Sequence, residues 1–357
     1  MVNSVGLSAL PGELLVWYER HARELPWRIS PERRRHGERP DPYRIWLSEV
    51  MLQQTTIAHA TRYWLNFTKR WPTVEALASA ADEEVMAAWA GLGYYARARN
   101  LLKCARVVAA SGGVFPQSQD RLQGLPGIGV YTSGAIAAIA FDQKAAAVDG
   151  NVDRVFSRLF ALKGEWADEK KRIKIEVESL VPNERPGEFA EALMDLGATV
   201  CTPKSPNCLI CPLSSFCAAR AEGTPDTYPI KPRKNAKPKR QGSVLLAQAN
   251  GSVLLMRRPE TGLLGGMLGL PSTDWGDGFG DVAALAQGHG VDQVSLEFLG
   301  DVRHVFTHFE LTLQVWRGLA EPSSDGDWHQ PKDVEGLPSV FAKAFRLAYP
   351  SRPISDR

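Results

Sequence analysis

The sequence predicts two folded parts of different class: a mainly helical front region and an α+β rear domain, joined by a basic linker. Three observations carry this. First, residues 8–223 are rich in helix formers, and Val152, Val155, Phe156, Leu159 and Phe160 recur at the i, i+3, i+4, i+7, i+8 spacing of a helix with one buried face. Second, residues 224–242 read TPDTYPIKPRKNAKPKRQG, with four prolines and six Lys/Arg, and cannot bury enough apolar surface to fold alone. Third, the texture beyond it is short β-type runs, Ser243–Ala249 and Ser252–Met256, split by the hairpin signal Asn250-Gly251. A chain of 357 residues has room for about two domains of roughly 100–200 residues. We therefore expect domains over 1–223 and 243–349 with a linker over 224–242.

In the front region, Ala88–Leu102 and Gly134–Phe141 are expected to be helical. Gln119–Gln123 forms a short helix, and the Val152 helix starts at Asp149-Gly150-Asn151. In the rear region Val294–Leu299 and Phe309–Leu319 are further strand candidates. The segment 31–40, PERRRHGERP, is expected to be a solvated loop or an extra phosphate contact.

The formal net charge of +2 hides an asymmetry. Residues 1–240 carry 33 Lys/Arg against 26 Asp/Glu, net +7, and residues 241–357 carry 9 against 14, net −5. A basic front part implies a polyanionic partner. The longest clean apolar run, Gly134–Phe141, is far short of the roughly 20 residues that span a bilayer. Met1–Leu10 lacks a basic segment followed by an apolar core. The expected compartment is the cytoplasm, at the nucleoid if the source is bacterial.

Four of the five cysteines, Cys201, Cys208, Cys211 and Cys217, fall close together, which in a reducing compartment reads as a metal site. Their thiolates can ligate zinc or a 4Fe-4S cluster. Zinc ribbons pair two C-x2-C knuckles, whereas here Cys208 and Cys211 form the single knuckle. Lys204, between the first two ligands, is a candidate phosphate contact. Cys104, among Leu101, Leu102, Val107 and Val108, reads as a small buried hydrophobe.

Leu125-Pro126-Gly127-Ile128-Gly129 sits between two helical stretches. Gly127 and Gly129 allow a sharp turn that presents backbone N–H groups to a DNA phosphate, the helix–hairpin–helix pattern. Two carboxylates have opposed settings. Glu49, in Ile45-Trp46-Leu47-Ser48-Glu49-Val50-Met51-Leu52, has nearly all-apolar neighbours, so desolvation should keep it protonated. Asp149 precedes a helix N-terminus that favours its ionised form. An acid and a carboxylate held apart in this way suit cleavage of a glycosidic bond.

Together these pieces resemble the MutY-type adenine DNA glycosylases of the endonuclease III superfamily over roughly residues 8–345. The motifs are LPWR at Leu25–Arg28, WLSEVMLQQT at Trp46–Thr55, GLGYYARARN at Gly91–Asn100, LPGIG at Leu125–Gly129, VDGNV at Val148–Val152, and the four cysteines. The resemblance implies removal of adenine opposite 8-oxoguanine or guanine in duplex DNA, a six-helix-type subdomain, an iron–sulfur helical subdomain carrying one 4Fe-4S cluster, and a monomer. It implies that Glu49 protonates adenine N7 and later activates water, and that Asp149 stabilises the oxocarbenium ion or traps it covalently, beside Asn151. Gln54 and Tyr94 would wedge into the duplex as the base leaves the stack. Arg23, Trp27, Arg28 and Glu191 would line the adenine pocket. The sequence departs from the pattern at Ala190, where a polar Asn is expected, and at the insert 31–40. Bifunctional relatives place a Schiff-base lysine where this chain has Tyr131, which implies a monofunctional enzyme. The rear domain resembles a Nudix fold, but Gly262–Gly280 holds no glutamate, against the REUxEExG box of its hydrolases. Phe306-Thr307-His308 stands where the family reads 8-oxoguanine through Phe-Ser-His, and His304 nearby reads as a strand cap. The alternatives are an endonuclease III-like pyrimidine glycosylase with lyase activity and a non-catalytic iron–sulfur DNA-binding protein. A repair or replication clamp partner leaves no mark in the sequence.

Overall fold

The computed structural model describes residues 7–232, 236–259, 262–321, 327–334 and 336–350. Residues 233–235 of the linker lie outside this set. The chain forms two compact units, one of residues 1–88 and 97–233 and one of residues 89–96 and 234–357.

The first unit is helical. Its core gathers Leu10, Leu14 and Tyr18 of the Leu10–His21 helix, Val152, Val155, Phe156 and Leu159 of Gly150–Leu159, and Phe189, Ala192, Leu193 and Leu196 of Pro186–Thr199. The apolar spacing of 152–159 is thus a buried face, and its four apolar residues are at most 4% exposed. Gly134 lets the Val130–Phe141 helix lie against the chain: a Cβ there would stand 2.2 Å from the Ala146 carbonyl oxygen. Cys104 is fully buried, and burial pushes its thiol up to about 12.

Three local expectations need correction. Ala88–Leu102 is not one helix. The Asp82–Trp89 helix stops and Ala96–Ala110 begins afresh, because Gly91, Gly93 and Tyr94 all take positive φ. The 31–40 insert is not simply a loop: Pro31–Arg35 is a short helix whose N-cap, Ser30, accepts from the Arg33 N–H. Of the hairpin glycines, only Gly127 needs the left-handed region (φ 74°); Gly129 has φ −89° and open space at its Cβ position.

The second unit is built on a six-stranded mixed sheet. β1 (Lys239–Ala249), β2 (Ser252–Arg257), β3 (Leu268–Gly269), β4 (Glu297–Val305) and β5 (Glu310–Leu319) run in the order β3-β2-β1-β5-β4, and β6 (Asp327–His329) pairs with β2. β1 turns into β2 at Asn250-Gly251, both with positive φ, as a tight hairpin demands. β1 begins at Lys239, so the end of the 224–242 segment is strand, paired in parallel with β5 from Lys239↔Glu310 onward. Val294–Leu299 is not one strand either: Gln293–Ser295 is a 3-10 turn before β4. The Ser339–Ala348 helix buries Phe341 and Phe345 against Leu313, Val315 and Val302. No helix among the described residues is long and apolar enough to cross a membrane.

Candidate active site

The first unit holds a cavity of about 460 Å³. Arg23, Trp27, Arg28, Glu49, Gln54, Tyr131, Asp149, Asn151 and Glu191 all line it. Residues from five separate stretches of sequence therefore converge on one pocket.

Glu49 comes from the Pro42–Met51 helix, which starts at Asp41 and Pro42, a capping aspartate followed by the proline favoured in the first turn. Its side chain is 6% exposed. Burial lifts its carboxyl to about 7; a hydrogen bond with Tyr131 opposes the lift and the Asp149 charge adds to it. Tyr131 is held well above the usual phenol range by burial and by Glu49 and Asp149. Asp149 caps the Gly150–Leu159 helix. Its Oδ1 accepts from the N–H of Asn151 and of Val152, both at 2.8 Å, and its Oδ2 accepts from Asn151 Nδ2 at 2.9 Å. Two carboxyl groups thus share one pocket, one desolvated and one bound by three donors.

Arg23, Arg28 and Glu191 of the lining belong to an ion network. Asp195 is fully buried and accepts from Arg23 N and Nε at 2.9 and 2.6 Å and from Arg28 Nη1 at 2.8 and 2.7 Å. Glu191, one helical turn earlier, accepts from Tyr18 Oη at 2.9 Å and lies 3.4 Å from Arg28 Nε. Burial alone would lower the Arg28 pKa, but Glu191 and Asp195 carry it above its usual value. Burial and the Glu191 charge raise Tyr18. Trp27 packs edge-on against Trp64 at 5.8 Å. Gln54 (φ 60°) and Tyr94 (φ 49°) both sit in the left-handed region, where non-glycine residues cluster at functional positions.

Sequence reasoning missed Tyr18, Asp195 and Arg154. Asp195 had a signal: an acid four residues from Glu191 on a helix whose other residues, Glu188 and Thr199 apart, are apolar or glycine. Arg154 ties the pocket to the cysteine loop. Its Nη2 donates to Asn151 Oδ1 at 2.9 Å and to Gly197 O at 2.6 Å, while Nε donates to Cys201 O at 2.8 Å. The four cysteines surround a second, smaller cavity with Arg158, whose Nη1 lies 3.2 Å from Cys201 Sγ. Among the described residues no three His, Cys, Asp or Glu side chains converge on a single-ion site. Four thiols lining one small cavity fit a cluster that takes one thiolate per iron.

Within the first unit, Lys204, Gly127 and Gly129 do not line the pocket. Lys204 is exposed in the cysteine loop. Gly127 packs at the hairpin, where a Cβ would stand 2.7 Å from Asn100 Cβ. In the second unit, Phe306–Phe309 is the tip between β4 and β5, closed by the Phe306 N–H donating to Phe309 O at 2.9 Å. Thr307 and His308 are exposed there, and Tyr94 Oη lies 3.0 Å from Thr307 Oγ1. Phe306 stacks on Trp275 at 5.8 Å and packs at a tilt against Phe309 at 4.8 Å. His304 does not cap a strand. It sits within β4 with a buried Nδ1 that has no partner among the described residues, its ring 4.5 Å from that of Phe306, and burial then the Lys343 charge lower its pKa.

Residues 47–183 match the HhH-GPD superfamily of base excision DNA repair proteins, residues 201–217 the iron–sulfur binding domain of endonuclease III, and residues 243–347 the NUDIX domain. Fold and pocket thus define a DNA glycosylase of base excision repair. A solved thermostable thymine-DNA glycosylase superposes with a TM-score of 0.54 at 29% identity, over 62% of this chain and 100% of its own. An endonuclease III–DNA complex shares the fold with a TM-score of 0.52 at 23% identity, over 62% of this chain and 99% of its own. Human adenine DNA glycosylase is 37% identical over 88% of this chain and 67% of its own length; the Schizosaccharomyces pombe enzyme is 30% identical over 94% and 88%. The chain belongs to the adenine DNA glycosylase family, enzymes that hydrolyse N-glycosyl bonds, and it carries the iron–sulfur binding domain of endonuclease III.

Proposed function

We propose that this enzyme excises adenine mispaired with 8-oxoguanine or guanine in duplex DNA, acting as a monofunctional monomer. One observation supports this above the rest: a carboxyl lifted to about 7 and a carboxylate held by three N–H donors line a single pocket of base-accommodating size. Glu49 donates its proton to adenine N7. The C1′–N9 bond then breaks with its electron pair leaving on adenine, and the positive charge left on the sugar faces the Asp149 carboxylate. Glu49, now ionised, takes a proton from the water whose oxygen bonds C1′. Asn151 holds Asp149 in place. Tyr131 supplies no amine for an imine, so the strand is left uncut.

Arg23, Trp27, Arg28 and Glu191 receive the base. Gln54 and Tyr94 fill the stack it leaves, offsetting a flipping cost of a few kcal/mol. Gly127, Gly129 and Lys204 contact phosphates, and Phe306, Thr307 and His308 read the opposite base. Cys201, Cys208, Cys211 and Cys217 would hold one 4Fe-4S cluster, whose ligation would restrain the loop that carries Lys204.

Single-turnover release of adenine from a duplex with adenine opposite 8-oxoguanine tests the assignment. Abasic sites without strand breaks are expected. Tight binding without base release would overturn catalysis, and a borohydride-trapped adduct would overturn the monofunctional assignment.

A further inference from the structure

The insert at 31–40 brings four arginines, and three of them, Arg33, Arg35 and Arg39, are exposed. Arg34 is not: it turns inward and is 6% exposed. Its Nη2 donates to Ile139 O at 3.1 Å and lies 3.5 Å from Glu191 Oε2, and its Nη1 lies 3.6 Å from Asp142 Oδ1. Its Nε has no hydrogen-bond partner among the described residues. Gly187 makes room for this approach, since a Cβ there would stand 3.0 Å from Arg34 Nη1 and 2.5 Å from Ala138 O.

A buried guanidinium is a poor stabiliser. Removing it from water costs several kcal/mol, which an imperfect set of partners does not repay. Arg34 has such a set: one carbonyl, two carboxylates at 3.5 Å or more, and an orphaned N–H. Its placement matters for what lies in front of it. Ile139 and Glu191 both line the pocket, and Arg34 touches both from behind.

The partners of Glu191 divide between its two oxygens. Oε2 faces Tyr18 Oη and Arg34 Nη2, whereas Oε1 lies 3.4 Å from Arg28 Nε, its one charged neighbour among the described residues. Arg28 is itself set by its two short bonds to Asp195. Tyr18 and Arg34 therefore fix Oε2, and a carboxylate with about four acceptor sites keeps capacity for a donor in the pocket. The donor that distinguishes adenine from an unsubstituted purine is its exocyclic amino group.

We propose that Arg34 is a positioning residue for base specificity: from behind the pocket wall it holds the Glu191 carboxylate in the orientation that accepts the exocyclic amine of the bound base. The inference rests on the adenine-excising function proposed above and extends it to a residue outside the pocket.

The test compares Arg34→Met, which keeps the length and loses the charge, with Arg34→Lys, which keeps the charge and loses the fork. Both are made in the full-length protein and also combined with Glu191→Gln. Single-turnover release is measured on duplexes carrying adenine or unsubstituted purine opposite 8-oxoguanine. Arg34→Met is expected to slow adenine release roughly tenfold, within the range of coupling between contacting groups, and purine release less than about twofold. Arg34→Lys should fall between wild type and Arg34→Met. In the Glu191→Gln background the Arg34 effect should vanish. Equal loss on both bases, or effects that multiply with Glu191→Gln, would show a merely structural role and overturn the proposal. Should Arg34→Met not fold, the same two comparisons decide with Arg34→Lys. A wild-type enzyme that releases neither base would instead refute the proposed function, so the two failures are told apart by the control.

Discussion

Replacing Glu49 with glutamine should make the enzyme inactive and, in alkaline buffer, more stable. The carboxyl is raised from its ordinary 4.5 to about 7, chiefly by burial. That difference corresponds to about 3 kcal/mol of disfavoured ionisation in the folded state. Because the folded value lies above the unfolded one, the favourable contribution is complete below 4.5 and is lost as pH rises through 7. About 2 kcal/mol of the loss falls between pH 5.5 and 8.5. Glutamine keeps the shape without the titration, so Glu49→Gln should gain about that much on the wild type across this window. For a unit of this size the gain corresponds to roughly 4–8 °C in the melting temperature, read by thermal denaturation at both pH values. Base release in single turnover should fall by about 10²- to 10⁴-fold, the usual loss on removing a general acid. The wild-type rate should be level below pH 7 and decline about tenfold per unit above it. A wild-type rate that climbs through pH 7, or a variant as fast as wild type, would refute the argument; so would an unchanged stability gap, because the buried carboxyl would then not be paying for ionisation.

Three further outcomes follow from the geometry. Arg154→Met cuts the bonds joining Asn151 to Cys201 O. It should slow adenine release at least roughly tenfold and weaken retention of the visible absorbance expected near about 400 nm for an iron–sulfur thiolate chromophore. Tyr131→Lys places an amine in the pocket beside Glu49 and Asp149, and borohydride should then trap a covalent DNA adduct that wild type does not form. Gly127→Ala combines φ 74° with a Cβ 2.7 Å from Asn100 Cβ. It should destabilise the first unit by about 1–3 kcal/mol and weaken duplex binding, seen by melting and by titration with labelled DNA.

Much was legible in the chain because it depends on local chemistry. The capping position of Asp149, the buried stripe from Val152 to Leu159 and the Asn250-Gly251 hairpin are each fixed by neighbours a few residues away. Glu49 was legible because its own helix surrounds it with apolar side chains. The break between Trp89 and Ala96 was not: its residues favour a helix on average, and left-handed glycines outweigh that average. Nor was the strand beginning at Lys239, since a basic, proline-flanked segment becomes strand only when β5 offers a partner.

What the tertiary structure alone decided is which charges face one another. Sequence marks Asp195, Arg154 and Arg34 as ionisable residues, without stating their partners. Asp195 organises Arg23 and Arg28, Arg154 joins the cysteine loop to Asn151, and Arg34 reaches Glu191 across more than 150 positions of chain. Motif spacing records what a residue's own turn or helix will do. A buried ion pair between distant segments exists only once packing has excluded water and set the distance, and this pocket is walled by such pairs.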